Sequence, residues 1–241
     1  MKKTCLILIL IVFSISITHA QTENKNVVKI FPTSIMFGKA TFGYERVLNE
    51  NSSFTFNLGI PSGIDPLSYL PEIPAEDISL DNGQLSGVLV MSGYRFNFSK
   101  KGAPLGFFIE TYLKYESLEM DFKAEYNDNG DLYPVSFLGE YSGMGGGIQM
   151  GVQYLVAKAI TLEFSFLGLE AKSANAKLTI TDLGGNIDMD ELYSNIEADF
   201  SDVPLIGNSL EFIKGSDYVG AEATHFFLPG ARFAFSIGFS F

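Results

Sequence analysis

The chain has no tryptophan, and its single cysteine is Cys5. One thiol cannot form an internal disulfide, so no disulfide framework holds the fold. The two histidines, His19 and His225, are too few for a Cys/His metal cluster, and no cofactor motif is present. Bases are scarce: 16 Lys and Arg stand against 28 Asp and Glu, a net charge of −12. That sign argues against nucleic acid, or an anionic membrane surface, as a partner. After residue 20 no run of about 18 apolar residues occurs, so no membrane-spanning helix is expected.

What is present begins with a leader. Lys2 and Lys3 precede the apolar run Cys5 to Ile17, and Thr18-His19-Ala20 places a small residue before Gln21. This is the layout of a secretory signal peptide over residues 1–20, cleaved after Ala20. Cys5 lies far from that cut, so a lipoprotein is not expected. Cleavage removes two lysines and no acid, leaving residues 21–241 more acidic still and free of cysteine. An exported, aromatic-rich chain without an apolar helix can cross a membrane only as a closed sheet, because lipid satisfies no open backbone group.

The last eleven residues carry the clearest pattern. Ala231, Phe233, Phe235, Ile237, Phe239 and Phe241 fall on one side of a strand, opposite Arg232, Ala234, Ser236, Gly238 and Ser240. One greasy face and one small, polar face suit a strand between lipid and lumen. Similar alternation marks strands at 29–37, 40–48, 54–60, 86–98, from 105, at 137–155 and from 161. In the strand from 105 the phase slips near Ser117, which predicts a bulge or an exit from the bilayer. Gly38-Lys39 is expected to turn the first hairpin, and Leu228-Pro229-Gly230 to lead into the last strand.

Connections at 49–52, 99–104 and 156–159 are short, and those at 61–84, 127–134 and 181–228 are longer. They alternate, as in an outer-membrane barrel with short periplasmic turns and long outer loops. The expected fold is therefore all-β: a single-domain antiparallel transmembrane β-barrel of eight strands over 21–241. The outer loops include a short helix at 188–200 and a hairpin around Gly215-Ser216. Ten strands result if 204–214 and 218–227 both cross.

The pattern resembles the small outer-membrane β-barrel proteins of Gram-negative bacteria, the OmpA/OmpX-like and porin-family barrels. The leader, the hairpin Gly43-Tyr44-Glu45-Arg46 to Ser53-Phe54, and the ending Gly238-Phe239-Ser240-Phe241 carry the resemblance. It implies an outer-membrane location in contact with lipid and lipopolysaccharide. It also implies that Phe239 and Phe241 are the signal read by the barrel-assembly machinery.

Inward-facing positions are expected to hold Glu45, Arg95, Glu110, Lys114, Glu116, Glu163 and Arg232. An eight-strand interior is about wide enough to be filled by side chains. Ions there must pair, since an unpaired buried charge is very costly. This reads as a charge-plugged lumen in a non-enzymatic protein with a structural, accessory or surface-binding role, alone or as a subunit of an envelope complex. The alternative is a narrow porin-like channel for ions or small solutes. A third reading, a lipid-modifying hydrolase, would use His225, with Asp217 and Glu222 nearby. Asp188, Asp190, Glu191, Asp128, Asn129 and Asp131 are oxygen-rich, yet match no complete calcium loop. Gly143, Gly145, Gly146 and Gly147 lack the Lys-Ser/Thr of a phosphate loop and fit a curved strand better.

Overall fold

The computed structural model describes residues 25–62, 78–99, 102–128, 131–156, 159–185, 187–200 and 209–241. The leader at 1–20, most of the proline-rich stretch at 61–84 and the Asn129-Gly130 turn lie outside the described residues. The elements in order are β1 (Asn26–Ile30), α1 (Pro32–Ile35), β2 (Lys39–Asn49), β3 (Ser52–Pro61), β4 (Ile78–Asn97) and β5 (Gly106–Asp128). Next come β6 (Asp131–Leu155), β7 (Ile160–Asp182), α2 (Met189–Phe200), β8 (Leu210–Lys214) and β9 (Tyr218–Ser240).

Neighbours run β1-β2-β3-β4-β5-β6-β7-β9, all antiparallel, and β1 pairs back onto β9. The sheet thus closes in a ring of eight strands. The short β8 adds to one end of β9, outside that ring. Among the described residues ten strands do not form: of 204–214 the part described as strand is the short β8, and 218–227 is the first half of β9 rather than a separate strand. For the same reason Leu228-Pro229-Gly230 lies inside β9 instead of leading into it. The turn at 50–51, residues 98–99, 102–105, 156 and 159, and both described chain ends share one rim, called here the lower rim. There Asn26 N donates to Phe241 O at 3.0 Å, and Phe241 N to Asn26 O at 2.9 Å.

The expected first strand at 29–37 is divided. β1 ends at Ile30, and Pro32 opens the helical turn α1, where a fixed φ and a missing N–H cost nothing. Gly38 then takes φ +71° to enter β2, a conformation open to glycine without strain. The hairpin expected at Gly38-Lys39 is therefore a longer, helical connection. At the end opposite the lower rim, the loop expected at 127–134 is mostly paired, since β5 and β6 continue to Asp128↔Asp131.

Of the two causes expected for the phase slip at Ser117, the bulge is corrected. β4 and β5 pair without a break from Gln84↔Asp121 to Asn97↔Phe108. The strand keeps its phase while its two faces exchange chemistry. Phe108, Glu110, Tyr112 and Glu116 are buried, and Leu118, Met120, Phe122 and Ala124 continue that inner face. The outer face passes from Phe107, Leu113 and Tyr115 to Glu119, Asp121, Lys123 and Glu125. The upper half of the sheet therefore has an apolar inside and a polar outside, inverting the lower half. This accounts for the strand lengths. β6 has 25 residues, whereas a bilayer needs only about 9–11.

Among the described residues the upper half is not a full ring. β3 pairs with β4 only as far as Gly59↔Leu89, and β2 ends at Lys39. Above that level the wall consists of β4, β5, β6, β7, β9 and β8. Across its concave face lies α2, which packs Met189 and Ile196 against Ala124, Val135, Ile180 and Val219. Asp188 caps this helix: its Oδ1 accepts from the N–H of Asp190 at 2.9 Å and of Glu191 at 3.3 Å. Asp188→Ala is expected to cost about 1 kcal/mol. Hydrogen exchange checks this: amides of 189–200 should exchange faster, while those of β2 and β3 stay unchanged.

Candidate functional site

The candidate site is the interior of the ring, and the alternation of each strand builds it. β2 and β3 turn Glu45, Ser53 and Thr55 inward, β4 contributes Arg95, β5 Glu110, and β7 Glu163, all fully or nearly fully buried. Arg95 is the hub. Its Nη2 lies 2.6 Å and its Nε 2.8 Å from Glu110 Oε2. Nη1 lies 2.9 Å from Glu163 Oε2 and 3.4 Å from Glu45 Oε2. The guanidinium also sits 3.6 Å from the centre of the Phe108 ring. Lys29 is the second cation, with Nζ 2.5 Å from both Glu45 and Glu163 and 3.0 Å from Gln153 Oε1. Ser53 donates to Glu45, and Thr55 to Glu110 at 2.7 Å. Three carboxylates and two cations thus satisfy one another where water is excluded. Without such pairing each ion would cost several kcal/mol to bury.

A second tier lies one turn of the ring higher. Glu116 pairs with Lys39 and, at 3.4 Å, with Lys114; Glu170 pairs with Lys172 at 3.1 Å and with Lys114 at 3.5 Å. Tyr112 donates its hydroxyl to Glu170 at 3.0 Å. Arg232 stands between the tiers but makes no ion pair among the described residues. Its Nη1 contacts Met91 Sδ at 2.5 Å, and its guanidinium lies 5.7 Å from the Tyr112 ring centre. The lower tier holds one more acid than base. The upper tier holds three cations, Lys39, Lys114 and Lys172, around two carboxylates, Glu116 and Glu170.

Of the residues expected inside, Glu45, Arg95, Glu110 and Glu163 meet in one cluster, Lys114 and Glu116 in the other, and Arg232 lies apart from any carboxylate. Lys29, Lys39, Glu170, Lys172 and Gln153 are members that the sequence pattern did not supply. Glu170 and Lys172 were hidden by a bulge: the β7–β9 register shifts between Ser165 and Gly168. Thr161, Glu163 and Ser165 face inward before it, and Gly168, Glu170 and Lys172 after it.

The glycines of β6 explain how large inner side chains fit. A Cβ on Gly147 would stand 2.7 Å from the Tyr112 hydroxyl, and one on Gly151 2.6 Å from Phe108 Cζ. The stripe of missing side chains on β6 makes room for the bulky inner face of β5.

His225 sits at a second irregularity between β7 and β9, with φ +53°. Its backbone N–H donates to Asn175 Oδ1 at 2.9 Å, and its exposed imidazole has no ion pair or hydrogen bond among the described residues. Glu222 lies in β9 opposite Lys177, and Asp217 in the β8–β9 turn. Asp190 is paired with Lys214, and among the described residues no group of three acidic, His or Cys side chains is arranged to hold a metal. Phe239 and Phe241 project from the lower rim with ring centres 6.4 Å apart.

Outside the ring, beside the charged tiers, runs an exposed apolar belt. One register row reads Phe54, Tyr94, Thr111, Ile148 and Leu169 across β3 to β7. Phe164 and Phe235 are in contact across β7 and β9, with ring centres 4.7 Å apart. Comparisons with protein-family models, curated proteins and solved structures find no match for this chain.

Proposed function

We propose that the chain is an outer-membrane β-barrel with a charge-plugged lumen and a structural or accessory role in the cell envelope. The observation that carries this reading is the inversion of the sheet. Only where the outer face is apolar is the interior ionic; a protein in water has no use for that arrangement, whereas a lipid-embedded ring requires it. The export leader and the paired terminal aromatics support the same location, the latter as a signal for the assembly machinery. The acidic upper surface would meet the lipopolysaccharide layer or an envelope partner.

The plug supports a closed lumen over a pore. Arg95 bridges three carboxylates drawn from β2, β5 and β7, so its guanidinium spans the ring. In a planar bilayer, purified protein is expected to give no recurrent unitary current steps. Uniform, reproducible steps would replace the plug with the porin-like channel. Heat-modifiable migration in a denaturing gel tests the barrel separately: a single temperature-independent band would count against it.

A further inference from the structure

Above the second tier is a cavity of about 400 Å³ that the charge plug does not use. Its wall is apolar: Leu118 and Met120 from β5, Leu178 from β7, Leu210 from β8, and Ala221 and Ala223 from β9. This volume lies in the range of cavities that enclose a drug-sized ligand. The described strands leave it open on one side, between β4 and β8, where β1 to β3 no longer reach. A well-packed core closes such a space with larger residues; here the wall ends in alanines and a glycine, Ala176, Ala221, Ala223 and Gly139.

The floor has different chemistry. Tyr141 lines the cavity, and its hydroxyl is buried with no hydrogen-bond partner among the described residues. A buried hydroxyl left unmatched costs about 1–3 kcal/mol. Lys172 Nζ lies 5.8 Å from the centre of the same ring. It belongs to the upper tier, where three cations surround two carboxylates. The apolar chamber therefore adjoins, across the Tyr141 ring, a tier with more cations than carboxylates, and a hydroxyl without a hydrogen-bond partner among the described residues lies at the boundary.

We infer that this chamber binds a single-chain anionic amphiphile, its hydrocarbon tail among Leu118, Met120, Leu178 and Leu210 and its acidic head on Tyr141 and Lys172. A carboxylate there accepts from the Tyr141 hydroxyl and offsets part of the cationic excess. A neutral alcohol gains only the tail contacts, and a quaternary ammonium is repelled. The inference goes beyond the closed-lumen reading and does not rest on it, because the chamber lies above the apolar belt and shares only Lys172 with the charged tiers.

The test is photolabelling of the full chain, held in amphipol without free detergent, by a twelve-carbon fatty acid with a terminal diazirine. Labelled peptides should come from 118–120, 176–178 or 210–223. Dodecanoate should compete at least tenfold better than dodecanol, and dodecyltrimethylammonium should not compete. Each methylene removed from the competitor should weaken it about fourfold. Ala176→Phe, which fills the chamber, should abolish labelling. Lys172→Gln should weaken dodecanoate at least fivefold and leave dodecanol unchanged. Should Lys172→Gln fail to fold, the head-group series and Ala176→Phe still decide. Labelling confined to other peptides, labelling that survives Ala176→Phe, or equal competition by dodecanol and dodecanoate overturns the inference. Conductance and gel migration do not enter this assay, so its failure is distinct from failure of the barrel reading.

Discussion

Arg95→Met is expected to destabilise the protein by about 3–5 kcal/mol, the range for removing one partner from a buried ionic cluster. The loss is not that of one salt bridge. Glu45, Glu110 and Glu163 are all buried around the guanidinium, and Lys29 alone would remain to face them. Glu110 is hit hardest, because Arg95 supplies both of its short charged contacts, leaving only the Thr55 hydroxyl. Adding Glu110→Gln and Glu163→Gln to Arg95→Met removes the orphaned charges and leaves Lys29 paired with Glu45. This triple variant is expected to recover most of the loss, since replacing a whole buried ionic set is often close to neutral. Urea unfolding followed by gel shift measures both. A single variant that loses less than about 1 kcal/mol, the level of an exposed pair, would show that the cluster is solvated and the plug open.

Ile148→Arg is expected to cost about 2–4 kcal/mol if the belt faces hydrocarbon near its middle. Ile148 points outward from β6 and is 55% exposed, in one row with Phe54, Tyr94 and Leu169. If that surface faced water instead, the change would fall within about 0.5 kcal/mol, as exposed substitutions usually do. Glu140→Arg is the internal control. It lies on the same outer face of the same strand, eight residues nearer the upper rim, where the face is already polar. Its cost should be small in either case. Equal effects of Ile148→Arg and Glu140→Arg in lipid-reconstituted protein would remove the basis for the membrane reading.

The lower half of this fold is written plainly in the chain, because period-2 alternation and one sided face are the same fact. Phe54, Phe56, Leu58 and Ile60 are all exposed on β3, opposite buried Ser53, Thr55 and Asn57. The helix at Met189–Phe200 was legible too, through Asp188 ahead of an amphipathic run. The upper half was harder to read, because its polarity is reversed. At Ser117 a change of which face is apolar looks identical to a one-residue slip, and only the pairing with β4 distinguishes them. Interior charges were legible where a strand runs straight, as at Glu45, Arg95 and Glu110. They were lost beyond the Ser165/Gly168 irregularity, which carries Glu170 and Lys172 from one parity to the other. The cavity had no signature in the sequence, because its wall gathers short segments from six separate strands.

The ring is completed by few contacts. β1 is five residues long, and it meets β9 through Val27↔Ser240 to Ile30↔Ile237. Asn26 and Phe241, hydrogen-bonded beside that seam, are 215 positions apart in the chain. Pairings this distant form late, because the entropy of closing so long a loop is spent before the contact returns anything. Every other junction in the ring can assemble from a neighbouring hairpin or a local connection, but this one cannot. An unclosed sheet presents two bare edges, β1 and β9, each ready to pair with another strand. The seam therefore governs when the molecule passes from an adhesive open ribbon to an inert closed one, and a chain lacking its last four residues would be held on the adhesive side.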